Sequence, residues 1–255
     1  FMNKLTTVAV IQTSYGKDMQ ANIDKTIGFI EQAAKQGAQV ILPSELFQNV
    51  YFFFFFREDW FEHAYAIEDH PCVKQLQPVA KKLGVVIPVS IFEREGPHTY
   101  NSVVMLDDSG EIMGVYRKSH IPDGPGYQEK YYFKPGNTGF KVWKTKFGTI
   151  GVGICWDQWF PECARSMALM GADILLYPTA IGSEPYDSSL NTSKQWQRAM
   201  QGHAVSNAMP VIAANRIGVE NANGEEQHFY GHSFIADQSG ELVQQFGSTE
   251  EGILL

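Results

Sequence analysis

Apolar positions along the chain recur with two periods, near two residues and near 3.6, and the switching between them divides the sequence into strands and helices. Residues 6–12, Thr-Thr-Val-Ala-Val-Ile-Gln, read as a short buried strand. Ile23, Ile27, Ile30 and Ala34 fall at helical spacing across residues 22–36, and Gly37 stops that helix. Residues 38–42 form a second strand that runs into Pro43-Ser44-Glu45. A helix over 73–83 ends at Gly84, and a strand follows over 85–92. Residues 100–106 and 112–116 are strands joined through Asp107-Asp108-Ser109-Gly110-Glu111, a hairpin signal. Arg117-Lys118-Ser119-His120 comes next, and the Pro- and Gly-rich stretch 121–126 is a loop.

The second half follows the same plan. Residues 147–154 read as a buried strand ending at Cys155. Pro161 suits the first turn of a helix, where its missing N–H costs nothing. Ala164, Met167, Ala168 and Gly171 mark one face of that helix and its stop. Lys35-Gln36-Gly37-Ala38-Gln39-Val40-Ile41-Leu42-Pro43 is echoed by Leu169-Met170-Gly171-Ala172-Asp173-Ile174-Leu175-Leu176-Tyr177-Pro178. The Asp-Ser-Gly-Glu hairpin is echoed at Asp237-Gln238-Ser239-Gly240-Glu241. A helix over 193–206 and a strand over 210–215 complete the second unit. An offset this long points to a duplicated unit rather than a solenoid. Each unit supplies a sheet and two helices, and the open sheet faces bury best against each other. The expected fold is an α/β four-layer α-β-β-α sandwich, internally duplicated, with residues 1–255 as one domain.

Composition narrows the function classes. The formal net charge of −8 argues against a nucleic-acid or acidic-membrane partner, which wants a basic face. Cys72, Cys155 and Cys163 have no C-x-x-C spacing, so neither a disulfide framework nor a zinc site is expected, and a reduced, cytoplasmic setting is. Residues 1–255 hold no apolar run long enough to span a bilayer, and the first residues lack a signal-peptide pattern. Phe52 to Phe56 is a run of phenylalanines that cannot all face one side of a strand or helix. It has no explanation from pattern alone and leaves any pocket wall there undefined.

Cys155 sits where a strand turns into a helix, the place from which α/β sheets project side chains into a crevice. A buried cysteine is ordinarily a small core residue. A Glu after Pro-Ser is ordinarily a turn residue, and a Lys beside an Arg is ordinarily solvated. Yet Glu45 and Lys118 also lie just past strand ends, and strand ends on one edge converge. Glu45 can take the thiol proton and return it to a leaving nitrogen, while Lys118 favours the thiolate and then the oxyanion. The N–H of Trp156 is a second oxyanion donor. His120 and His203 lack metal-ligand spacing and are expected to be structural.

Leu42-Pro43-Ser44-Glu45, Tyr116-Arg117-Lys118-Ser119-His120-Ile121-Pro122 and Gly153-Ile154-Cys155-Trp156-Asp157 together resemble the nitrilase (carbon–nitrogen hydrolase) superfamily. The resemblance implies the four-layer sandwich, a Glu45-Lys118-Cys155 triad, a supporting carboxylate at Glu129, no cofactor, no metal, and pairing into a homo-oligomer. The family's C-terminal pairing segment is not found here, and Gly252-Ile253-Leu254-Leu255 reads as a strand that is expected to continue. The segments 123–133, 155–162 and 177–184 resemble the branch that hydrolyses carbamoylated diamines in polyamine synthesis. Such a substrate carries an ammonium at its far end, for which Glu184 and Asp187 are the candidates and Asp123 a weaker one. A carbamoyl amino acid would instead want an arginine, from Arg165, Arg198 or Arg216. Trp156, Trp159 and Tyr51 can wall a methylene chain. Two rivals stand beside this reading: another amidase, carbamoylase or nitrilase with the same triad, and a catalytically idle assembly or regulatory protein of the same fold.

Overall fold

A computed structural model describes residues 5–53, 56–184, 186–187, 189–222 and 224–255. The first unit runs β1 (Val8–Gln12), α1 (Met19–Lys35), β2 (Val40–Leu42), α2 (Pro71–Leu83), β3 (Ile87–Glu95), β4 (His98–Leu106) and β5 (Ile112–Arg117). The second runs β6 (Val142–Thr145), β7 (Gly148–Val152), α3 (Pro161–Leu169), β8 (Ile174–Pro178), α4 (Ser193–Asn207) and β9 (Val211–Ala214). A hairpin of β10 (Ile217–Ala222) and β11 (Glu225–Tyr230) follows, then β12 (Phe234–Ala236), β13 (Leu242–Gln245) and β14 (Gly252–Leu254).

The strand orders show the duplication. One sheet is ordered β6-β7-β8-β9-β12-β13. The other is β14-β1-β2 joined to β3-β4-β5 through parallel bonds between Ile41 N and Val86 O (3.0 Å) and between Val86 N and Gln39 O (2.9 Å). Both run as an antiparallel outer strand, parallel strands joined by helices, then an antiparallel meander. The helices appear because short parallel strands need a crossover. The sequence echoes fall on β2 with β8 and on the β4–β5 and β12–β13 hairpins.

Alternation within strands makes the layers. In β1, Ala9 and Ile11 face α1 and α2, while Val10 faces the other sheet. In β9, Val211 and Ala213 face α3 and α4, while Ile212 and Ala214 face inward. Strands covered on both faces read as continuous apolar runs, which is why 38–42 and 174–178 look alike in sequence. The result is a four-layer α-β-β-α sandwich. Among the described residues no helix is long and apolar enough to cross a membrane.

Two helices, α1 and α2, start earlier than periodicity places them, while α3 and α4 start at Pro161 and Ser193 as expected. α1 begins at Met19 because Asp18 accepts from Ala21 N at 3.0 Å. α2 begins at Pro71 because the ring of His70 caps it, Nδ1 accepting from Cys72 N at 3.1 Å and Nε2 donating to Gln48 Oε1 at 2.9 Å. Both ring nitrogens are thus used by the neutral imidazole, and burial lowers its pKa to about 3. The unfolded chain therefore binds the proton from about pH 6.5 downward while the fold does not. This stabilisation is complete above about pH 6.5 and is lost as pH falls toward about 3. His70→Asn, which keeps a capping side chain, should flatten the dependence of denaturation midpoint on pH across that window.

Candidate active site

The loop that carries Cys155 is shaped by the residues before it. A Cβ on Gly151 would meet Met167 Sδ at 2.8 Å, and one on Gly153 would meet the Tyr177 ring at 2.6 Å. Glycine at both positions lets α3 lie close on the sheet. β7 stops at Val152, and the chain enters a 3-10 turn, Cys155–Trp159, before α3 starts at Pro161. The elbow expected to lead directly from strand to α-helix thus contains an extra turn. The cause is Asp157, which is fully buried. Its Oδ2 accepts from Ile154 N (3.0 Å) and Tyr116 OH (2.5 Å), and its Oδ1 accepts from His120 N (3.0 Å) and lies 2.6 Å from His120 Nδ1. The His120 ring stacks on Phe160 with centroids 3.6 Å apart. So fastened, Cys155 is held at φ +39°. A left-handed conformation costs a non-glycine residue about 1–2 kcal/mol, and it persists only where surroundings over-determine it.

Glu45 follows β2, Lys118 follows β5, and Glu129 opens a 3-10 turn at Glu129–Tyr131; all three are buried. Lys118 Nζ donates to Glu45 Oε1 at 2.8 Å and to Glu129 Oε1 at 2.9 Å. Asn101 Nδ2, from β4, donates to the same two oxygens at 2.7 and 3.3 Å. Tyr51 OH donates to Glu129 Oε2 at 2.6 Å. That leaves Glu45 Oε2 as a buried oxygen with no hydrogen-bond partner. Glu129 is fully bound, whereas Glu45 keeps one lone-pair site open.

Two carboxylates and one ammonium leave this cluster with an excess of negative charge. Burial pushes the Cys155 thiol well above its ordinary pKa; Glu45 and Glu129 push it further up, and Lys118 only partly opposes them. The sequence suggested that Lys118 would hold a ready thiolate. The structure instead favours a protonated thiol at rest, because Lys118 is already shared between two carboxylates. Burial pulls Lys118 downward, but Glu129, Glu45 and Cys155 outweigh it and hold the ammonium above its ordinary value.

Cys155 opens into a cavity of about 370 Å³. Trp156, Trp159, Tyr127 and Ile181 form apolar walls, and Asp123 and Glu184 supply carboxylates. No Lys, Arg or His is among the described residues lining it. Burial raises the pKa of Glu184, with a hydrogen bond from Tyr186 opposing. Several expectations need correcting. Asp187 is not in the cavity wall; its Oδ1 accepts from Ser189 N at 2.9 Å and Ser189 Oγ at 2.5 Å. Tyr51 is fully buried behind the site and contacts Glu129 rather than walling the cavity. Arg216 is buried against Glu220 (2.9 Å) and the carbonyls of Leu46 and Asn49. Arg165 and Arg198 donate to backbone carbonyls on α4 and do not line the cavity.

The phenylalanine run divides, as faces demand. Phe52 and Phe53 are buried among Phe92, Tyr132 and Phe133, Phe56 is exposed, and Phe54 and Phe55 lie outside the described residues. None of Phe52, Phe53 and Phe56 enters the cavity wall. Sequence reasoning missed Asn101 and Gln158. Gln158 stands three residues after Cys155, a spacing that the 3-10 turn places on the same side.

A model of the carbon–nitrogen hydrolase family matches residues 7–255. The chain belongs to this family. It is 51% identical to an N-carbamoylputrescine amidase of Solanum lycopersicum over 99% of this chain and 86% of that protein. It is also 51% identical to a citrullinase of Francisella tularensis over 97% of this chain and 86% of that protein. Among solved structures, a carbon–nitrogen hydrolase from Helicobacter pylori G27 superposes with a TM-score of 0.89 at 36% identity, covering 97% of this chain and 87% of that one. A mutant amidase from Nesterenkonia sp. AN1 (25% identical, TM-score 0.83, covering 99% of this chain and 90% of that one) shows covalent addition of the acetamide moiety of fluoroacetamide at the active site cysteine. As a family member the chain is a hydrolase acting on carbon–nitrogen bonds other than peptide bonds.

Proposed function

We propose that this hydrolase converts N-carbamoylputrescine to putrescine, CO2 and ammonia, a step of polyamine synthesis, with Cys155 as nucleophile, Glu45 as general base and acid, and Lys118 as oxyanion donor. The observation that carries the substrate choice is the cavity beyond Cys155: apolar walls, acidic side chains at Asp123 and Glu184, and no cation among its described lining residues. A ureido group at the cysteine, a methylene chain between the tryptophans and an ammonium toward Glu184 match that order of surfaces.

The Cys155 thiol gives its proton to Glu45 Oε2 as Sγ bonds to the ureido carbon. Lys118 and the Trp156 N–H, which lies in the first turn of the 3-10 segment and so lacks an intrahelical partner, hold the oxyanion. Glu45 returns the proton to the departing ammonia. Water, deprotonated by Glu45, then cleaves the S-carbamoyl adduct, and the released carbamate loses CO2. Glu129, bound by Tyr51, Asn101 and Lys118, orients the lysine.

A second reading is supported by the similarity to a citrullinase. Citrulline presents the same ureido group, and only its far end, an α-carboxylate beside an α-ammonium, differs. Ammonia release from N-carbamoylputrescine, citrulline, an N-carbamoyl amino acid and a nitrile separates the readings. The diamine should lead by kcat/KM, and a lead by citrulline overturns the choice. Glu184→Gln should raise KM for N-carbamoylputrescine by about ten- to a hundredfold with kcat nearly unchanged, since a lost charge-assisted contact costs about 1.5–3 kcal/mol. We place the chain as a single domain in a cytoplasmic homo-oligomer; exposed Leu169, Met170 and Val205 support subunit pairing, and native mass in solution tests it.

A further inference from the structure

Gln158 is a fully buried polar residue beside the sulfur of Cys155 that the mechanism above does not use. Its amide cannot be turned either way. The indole N–H of Trp196 reaches Gln158 Oε1 at 2.6 Å, and Thr179 Oγ1 lies 3.2 Å from the same atom. An indole nitrogen only donates, so the end of the amide facing Trp196 must be the oxygen. The NH2 group is thereby aimed at Cys155, with Nε2 3.9 Å from Sγ. The backbone is fixed as well, for His203 Nε2 meets Gln158 O at 2.7 Å.

We infer that Gln158 is a sulfur-directed donor, locked by Trp196, that favours the ionised Cys155 sulfur each time the S–C bond forms or breaks. This deepens the reading of Cys155 as nucleophile and rests on it. A neutral thiol is a weak acceptor and a thiolate a strong one, so the contact tightens only as charge develops. When Sγ attacks, its proton leaves for Glu45 while the amide N–H meets the electron pair that remains. When the S-carbamoyl bond breaks, the departing sulfur meets the same N–H before it regains a proton. The Glu45–Lys118–Glu129 cluster that acts on the thiol holds an excess of negative charge, so a neutral donor with no counter-charge suits this position. An ammonium there would compete with Lys118 for the carboxylates.

The test uses Gln158→Leu, Gln158→Glu and Trp196→Phe, with Cys155→Ala as control. Two readouts are taken on each folded variant: steady-state ammonia release, and the pH profile of alkylation by iodoacetamide, resolved by residue with mass spectrometry. Gln158→Leu should lower kcat about tenfold or more with little change in KM, since donors to charged groups are worth about 1.5–3 kcal/mol. Its Cys155 alkylation midpoint should rise by about one pH unit or more, the same free energy read another way. Gln158→Glu should be at least as impaired, because a carboxylate then faces the sulfur. Trp196→Phe should give a smaller loss, because the amide is then held by Thr179 alone. If Gln158→Leu and Trp196→Phe only lower thermal stability, with kcat and the alkylation profile unchanged, the inference is overturned. If instead Cys155→Ala retains turnover, it is the nucleophile assignment that fails.

Discussion

Cys155→Ala should abolish ammonia release, by at least about 10⁴-fold in kcat, while leaving the fold intact. The loss is large because no other group can take over the covalent step. Cys72 and Cys163 are fully buried, and neither lines the cavity. The fold should survive because the restraints on the elbow do not involve the sulfur. Asp157 holds the turn through Ile154, Tyr116 and His120, and alanine tolerates φ +39° no worse than cysteine does. A stability change of about 1 kcal/mol or less is expected, typical of a substitution that breaks no network. Turnover and thermal midpoint on the same preparation test both halves. Residual activity within tenfold of the unmodified protein would sink the assignment.

Glu45→Gln should lower kcat by about 10²–10⁴-fold, the usual worth of a positioned general base. The side chain can keep its oxygen toward Lys118 and Asn101 and so preserve the geometry. What is lost is the open lone pair at Oε2. A second, opposite effect accompanies the loss. Among the charges around the thiol, Glu45 is the foremost in raising its pKa. Removing that charge should therefore move the alkylation midpoint of Cys155 downward while turnover collapses. A thiol that ionises more readily in an enzyme that works less well would separate base catalysis from mere thiolate supply. An unchanged or raised midpoint would contradict the charge balance described for the cluster.

Much of this was legible in the chain. Doubly covered strands are continuous apolar runs, so the sheets and their repeat could be read directly, and the strand ends marked Glu45, Lys118 and Cys155. What could not be read is what depends on side-chain direction. Asn101 lies inside an apolar strand, and nothing in its neighbours signals that it faces the carboxylates. Gln158 looks like any polar residue in a turn until Trp196, from a distant helix, fixes its amide. Tyr51 and Asp187 had the right chemistry in the right stretch, but one points behind the site and the other into its own turn. The β10–β11 hairpin went unseen because its alternation is weak, with Glu225, Glu226 and His228 exposed along β11. The thiol's ionisation depends on a sum of charges, and only coordinates supply the distances that weight it.

The pairing of β14 with β1 bears on how the protein is made. Val10 lies opposite Leu254, and Gln12 opposite Gly252, whereas the corresponding strand in the other sheet, β6, is a hairpin neighbour of β7. Two units with the same architecture therefore differ in when their outer edges can close. The ribosome extends the chain at about 5–20 residues per second, so the β6 edge is available at once and the β1 edge waits until residues 252–254 have been made. During that interval β1 presents unpaired backbone groups, a template for unwanted strand addition. The second unit can close its outer edge on its own schedule, while the first, which carries Glu45 and Lys118, waits for β14.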